Sequence, residues 1–164
     1  MEAQVISGVA LLVSVLSTVF AVLSWREAHR PILIARVTTG VSGNVATTLL
    51  LLVENTGNRP ARDIALICDK RALERALAPR YRTTPPDDVR FAFNTGTVIP
   101  ILKNGEARTC AFGLFSADDS TWIAGSRIPI TILYKDIGRR RFSQRVTLLV
   151  ADDHSFTGLQ WGKA

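Results

Sequence analysis

The sequence predicts a mostly β protein: an N-terminal transmembrane helix followed by a β-sandwich of about seven strands with one short helical insertion. Three observations carry this. No charged residue stands between Ala3 and Trp25. Beyond that stretch, runs rich in Val, Ile, Leu and Thr alternate at fairly even spacing with clusters of Gly, Asn and Pro, the pattern of short strands and tight turns. A helical period appears only once more, at Asp69–Ala78. A small β-barrel is the competing architecture. The domain division is residues 1–30, a membrane anchor with a basic juxtamembrane flank, and residues 31–164, the sandwich.

The anchor is the 19-residue run Val5–Leu23, which as a helix spans roughly 28 Å, close to a hydrocarbon core of about 30 Å. Its Ser and Thr hydroxyls bond to the preceding turn's carbonyls and so are tolerated in lipid. Trp25 falls where an interfacial aromatic belongs, and Arg26 and Arg30 follow it. A cleaved signal peptide is the rival. Against it, the residues before the apolar run carry Glu2 and no Lys or Arg. The basic flank on the C-terminal side predicts a cytoplasmic sandwich and an external N-terminus. Ser7, Gly8 and Ser14 offer a small-residue stripe for helix-mediated self-association, without a GxxxG.

The strands are read as Pro31–Thr38, Val45–Glu54, Ala61–Cys68, Val89–Phe93, Val98–Leu102, Ala107–Phe115, Ile128–Tyr134 and Arg141–Val150. Asn55–Pro60, Asn104-Gly105 and Lys135–Gly138 are turns. In the helical segment, Leu73 and Leu77 stand four apart among charged residues, with Asp69 as N-cap and Pro79 as terminator. Arg80–Asp88 is a loop, and Trp122 covers the edge of the core.

Val53-Glu54-Asn55-Thr56-Gly57-Asn58-Arg59-Pro60-Ala61-Arg62-Asp63-Ile64 resembles the V-x-N-x-G-x-x-x-A-x-x-I/V hairpin of bacterial and archaeal immunoglobulin-like adhesion or spacer modules. Ile101–Glu106 resembles their strand-to-turn segment, with Asn-Gly in place of the commoner Pro-Gly. Tyr134–Phe142 resembles the Y-x-D-x-x-G-x-x-Y/F hairpin of uncharacterised bacterial membrane-anchored proteins with an immunoglobulin-like β-sandwich domain. The resemblance covers about residues 32–155 and implies an immunoglobulin-like sandwich with an interaction or scaffold role. It carries no catalytic residue. Such proteins often place the domain outside the membrane, opposite to the orientation that the charges predict.

Little in the chain suggests chemistry. Asp118-Asp119 and Asp152-Asp153-His154 are the compact acidic clusters after the helix, and a loop site joining them is the enzyme alternative. The glycines form neither a phosphate-binding loop nor a dinucleotide fingerprint, so no cofactor is expected. No metal-ligand spacing is present, and no metal is expected. Cys68 and Cys110 are expected as separate thiols in strands, with a bridge between sheets as the alternative.

The chain carries a formal charge of +6, and all 20 Lys and Arg lie from Arg26 onward. Nucleic acid is one partner class for such charge, with Tyr81 between Arg80 and Arg82 as a stacking group, but no nucleic-acid module follows. The partners expected are the lipid bilayer, through Trp25, Arg26 and Arg30, and a protein. The positions assigned to protein contact are Arg80, Tyr81, Arg82, Trp122, Arg139, Arg140 and Arg141. The function expected is a non-catalytic interaction or structural domain on a single-pass tether.

Overall fold

The computed structural model describes residues 2–42, 46–94, 96, 99–116 and 118–151. Helix α1, Glu2–Ala28, contains a 23-residue stretch, Ile6–Ala28, of mean hydropathy 2.4 that is long and apolar enough to cross a membrane. No part of that stretch is buried against the sandwich. A buried core helix does not account for this stretch, because among the described residues its apolar faces meet no protein interior. Thr18 Oγ1 donates to the Ser14 carbonyl at 2.9 Å, the back-bond that makes hydroxyls cheap in lipid.

Among the described residues, seven strands make two antiparallel sheets: β1 (Leu33–Ser42), β2 (Ala46–Asn55) and β5 (Ala107–Ser116) in the order β1-β2-β5, and β3 (Ala61–Cys68), β4 (Ile99–Leu102), β6 (Arg127–Lys135) and β7 (Arg141–Leu149) in the order β4-β3-β6-β7. Alternation along the strands fills the space between the sheets. Leu49, Leu51 and Val53 of β2 point inward, as do Ile128, Ile130 and Ile132 of β6. Burial of each large side chain contributes on the order of 1.5–3 kcal/mol.

Strand β3 breaks the alternation. Ala61 and Ile64 are both buried although three apart. Asp63 supplies the extra residue, with a left-handed φ of 51° at a register shift between Arg62 and Ala65. This is a β-bulge, and it restores the inward phase for Ile64 and Leu66. Gly113 sits at the register shift of β5 with φ 97°, where a Cβ would lie 2.8 Å from the Thr121 side chain, so only glycine fits.

Between β3 and β4 lie α2 (Lys70–Ala76), a single 3-10 turn at Pro79–Tyr81, and α3 (Asp87–Ala92). Asp69 caps α2 by accepting from Ala72 N at 3.1 Å, as its sequence predicts. The expected strand at Val89–Phe93 is instead α3 and its C-terminal cap. Pro86 starts it, Asp87 and Asp88 occupy the first turn, and Val89 and Ala92 share the buried face three apart. The alternation V-R-F-A-F was short enough to fit either period, and the buried helical face won.

Candidate functional site

The junction between α1 and the sandwich is built from residues far apart in sequence. The linker after Ala28 lies on the β2–β3 turn and the end of β6. Thr56 N donates to the Ile32 carbonyl at 2.9 Å, Asn58 Nδ2 to Ala28 O at 3.4 Å, and Tyr134 OH to Pro31 O at 3.1 Å. Burial pushes the Tyr134 phenol up, which keeps it protonated as this donor. A Cβ on Gly57 would fall 2.3 Å from Ile32 N and 2.6 Å from Arg30 O, so the close approach of the linker requires glycine there. Trp25 stacks on His29 with centroids 4.8 Å apart, and Arg59 lies 4.7 Å from the Trp25 ring centroid, a cation–π contact.

Asn55 anchors the same end from within. Its side chain is fully buried. Its Nδ2 donates to Arg59 O at 2.7 Å and Leu102 O at 3.1 Å, and its Oδ1 accepts from Gly57 N at 3.0 Å. Its backbone N–H donates to Glu106 O and its carbonyl accepts from Gly105 N. One amide thus joins the β2–β3 turn to the β4–β5 turn.

Strand direction then decides which loops stand beside α1, at the end called the anchor pole. The chain enters β1 next to α1, and every strand pairing is antiparallel. The turns after β2, β4 and β6 therefore fall at the anchor end, and the connections after β1, β3 and β5 fall at the far end, about 26 Å away along the nine residues of β6. The anchor end gathers Arg26, Arg30, Arg59, Arg62, Lys103 and the Arg139–Arg140–Arg141 turn. Its carboxylates are largely engaged: Glu27 with Arg30 at 3.3 Å, Asp63 with Lys135 at 2.8 Å, and Glu106 with Arg108 at 2.8 Å. The Asp63 carboxyl is held below the usual range first by its hydrogen bond from Lys135, and the Glu106 carboxyl first by the backbone N–H of Lys103. Arg26, Arg139, Arg140 and Arg141 are exposed and make no salt bridge among the described residues. Asp136 closes their turn by accepting from Arg140 N at 2.9 Å, and Ile137 stands 55% exposed at the tip. Arg59, Lys103 and Ile137 escaped sequence reading. Counting alternate turns of an all-antiparallel chain would have found them.

The residues assigned to protein contact are split between the two ends. Arg139, Arg140 and Arg141 belong to the anchor pole. Arg80, Tyr81 and Arg82 belong to the far pole, where Asp119 holds the first two: Arg80 donates to its Oδ1 at 3.1 Å and Tyr81 OH at 2.7 Å, while Arg82 Nε donates to Leu77 O at 3.4 Å. The hydrogen bond to Asp119 pushes the Tyr81 phenol up. Trp122 is no surface residue. It is 1% exposed, stacks on Phe112 at 4.5 Å, and donates its indole N–H to the Phe112 carbonyl.

The acidic-loop site is not assembled among the described residues. Asp119 is committed to Arg80 and Tyr81, and Asp152, Asp153 and His154 lie outside the described residues. Among the described residues no cluster of three or more His, Cys, Asp or Glu side chains is arranged to hold a metal ion. Cys68 and Cys110 are free thiols in different sheets, each half-buried. Burial pushes Cys68 up to about 11 and raises Cys110 as well, so neither is an activated nucleophile at neutral pH.

A cleft of about 350 Å³ opens where the edge strands β4 and β5 face each other across the sandwich. Leu51, Val53, Ile64 and Leu66 line it, and Phe91 of α3 stands beside it.

The fold and its poles define a class: a two-sheet β-sandwich clamped to one long apolar helix, with a basic end beside that helix. A family model described as "Domain of unknown function (DUF8453)" matches residues 3–152, which takes in both the helix and the sheets, and the chain belongs to that family. No curated protein and no solved structure matches the chain.

Proposed function

We propose that this protein is a single-pass, membrane-tethered, non-catalytic interaction module. Its basic pole rests on the anionic cytoplasmic leaflet and its far pole is presented to a protein partner. The observation that carries the reading is the joint placement of the clamped α1 junction and the exposed arginines at one end of the sandwich. A domain held this close to the bilayer brings Arg139, Arg140 and Arg141 within reach of headgroups. Each basic side chain near an anionic surface contributes about 1 kcal/mol, within a Debye length of roughly 8–10 Å. Ile137 beside them adds an apolar side chain suited to the interface. The same charge bias favours a cytoplasmic sandwich. A cleaved signal sequence suits the clamped junction poorly, because cleavage within α1 upstream of Trp25 would leave that ring and its Arg59 contact at a loose end.

The strand order β1-β2-β5 against β4-β3-β6-β7 supports an immunoglobulin-like sandwich. Such domains bind partners through loops at one end or through an edge strand. Here the exposed far-pole loop with Arg80 and Arg82 is the free end, some 26 Å above the anchor pole.

The test places a polarity-sensitive fluorophore at Ile137→Cys in the full chain, reconstituted in lipid nanodiscs. Cys68 and Cys110 are half-buried and burial raises both thiols, so at neutral pH the exposed new thiol is expected to take the dye first. Anionic nanodiscs are expected to blue-shift the emission relative to zwitterionic ones, and high salt to reverse it. Emission that is the same in both lipids sinks the headgroup contact. For the partner, a protein that copurifies from native membranes should be lost with Arg80→Gln/Arg82→Gln. Undiminished recovery rejects the far pole.

A further inference from the structure

The sandwich is closed at one side, where β1 and β7 approach each other, and open at the other, where β4 meets β5. Strand β4 is only four residues long and contains Pro100, so it covers little of the core beneath it. The resulting cleft, about 350 Å³, is floored by core side chains and sits at the low end of the range for small-molecule sites, roughly 300–1,000 Å³. That size suits one hydrocarbon chain better than two. Its walls are mainly apolar and offer water few hydrogen-bond partners. Phe91, 58% exposed, and Ile101, 41% exposed, flank the mouth. They are large apolar groups facing solvent on a part of the surface that an apolar ligand would cover.

The charged end of the mouth is fixed by register. Arg108 pairs with Val53 and Thr109 with Leu52, one and two steps in from Glu54↔Ala107 at the anchor pole, while Cys110 and Leu66 lie deeper toward the far pole. The Arg108 guanidinium gives one nitrogen to Glu106 and its side chain is 63% exposed, leaving the rest of a fork that matches a carboxylate.

We propose that this cleft binds a single-chain carboxylate amphiphile, a long-chain fatty acid, with its carboxylate at Arg108 and its chain running between the sheets past Cys110. The ligand enters from the anchor-pole side, where the proposed membrane contact supplies it; in that respect the inference rests on the membrane reading. The positive charge of that end complements the head, and the apolar floor complements the tail.

Cys110 lines the cleft and Cys68 does not, so the protein carries a probe and a control. In phosphatidylcholine nanodiscs holding the full chain, N-ethylmaleimide labelling at pH 9 is followed at both thiols with increasing palmitate. Saturating palmitate is expected to slow Cys110 labelling at least tenfold and leave Cys68 unchanged. Arg108→Gln is expected to raise the half-protecting concentration about tenfold, and cetyltrimethylammonium, with the same chain and the opposite charge, to protect poorly. Labelling of Cys110 at one rate with and without palmitate overturns the proposal. So does equal protection by the cationic amphiphile, and so does protection that follows protein concentration instead of palmitate, the mark of a second copy covering the edge. Either orientation in the cell leaves the cleft accessible in nanodiscs, so a misplaced domain cannot mimic failure of this experiment.

Discussion

Replacing Asn55 by alanine should loosen the anchor pole more than any other single polar change. The side chain makes three hydrogen bonds, to Arg59 O, Leu102 O and Gly57 N, and is fully buried. Its removal strands a carbonyl on Leu102, itself 0% exposed, and the N–H of the buried Gly57. Each buried orphan costs about 1–3 kcal/mol, so two of them make about 3 kcal/mol, and partial rescue of the Arg59 carbonyl by water keeps the third contribution small. For a domain of this size each kcal/mol lowers Tm by about 4 °C, which gives a loss of about 12 °C. The assay is thermal unfolding of the full chain in nanodiscs, read by near-UV circular dichroism, where the buried Trp122–Phe112 stack reports the core. Thr56→Ala is the comparator. Its hydroxyl is exposed and its contact with Ile32 O runs mainly through the backbone N–H, so it should shift Tm by no more than about 2 °C. A loss below about 3 °C for Asn55→Ala would refute the claim that this amide holds the two turns together.

Other perturbations have equally definite outcomes. Gly57→Ala drives a methyl into the linker backbone and should expose the Arg26–Arg30 segment to limited trypsin digestion; digestion at the wild-type rate contradicts the close approach. Trp122→Phe removes the indole hydrogen bond and part of the stack in the core and should cost about 2–3 kcal/mol by denaturant titration. The folded-state pKa of Asp63 is depressed, so its pairing with Lys135 supports the fold above the unfolded carboxylate value near 3.9 and is lost as pH falls below it. Asp63→Asn keeps a residue that tolerates the positive φ and should flatten the acid limb of a stability–pH curve below about pH 4, leaving the rest of its shape unchanged. An acid limb identical to wild type would show that the pair carries no linkage.

The pattern of residues made the strands legible, and less of the site. The seven observed strands follow β-branched and apolar runs whose alternation survives in the burial of β2 and β6. The quoted hairpin motifs turn out to serve one place: Asn55 and Gly57 build the β2–β3 turn, Asp136 closes the β6–β7 turn, and Tyr134 holds the linker under a stacked Phe142. Sequence spacing could not show that these meet, since Tyr134 and Pro31 are more than a hundred residues apart. The α3 segment reads as a strand because five residues fit two periods, and Pro86-Asp87-Asp88 at its start is the better guide. The sequence places Trp122 at the core edge and among the contact residues because an acidic turn precedes it, whereas the Phe112 carbonyl and ring give it a fully interior site. The cleft needed two sheet edges from different parts of the chain, which no local pattern contains.

A spanning α1 with the sandwich on the cytoplasmic side is checked most directly by carbonate washing of native membranes and, in separate samples of intact cells and closed inside-out vesicles, by protease protection. The account predicts that the full chain stays in the membrane pellet, that its sandwich resists protease added to intact cells, and that it is digested in inside-out vesicles. Release of the chain by carbonate, or digestion of the sandwich from outside intact cells, would contradict it.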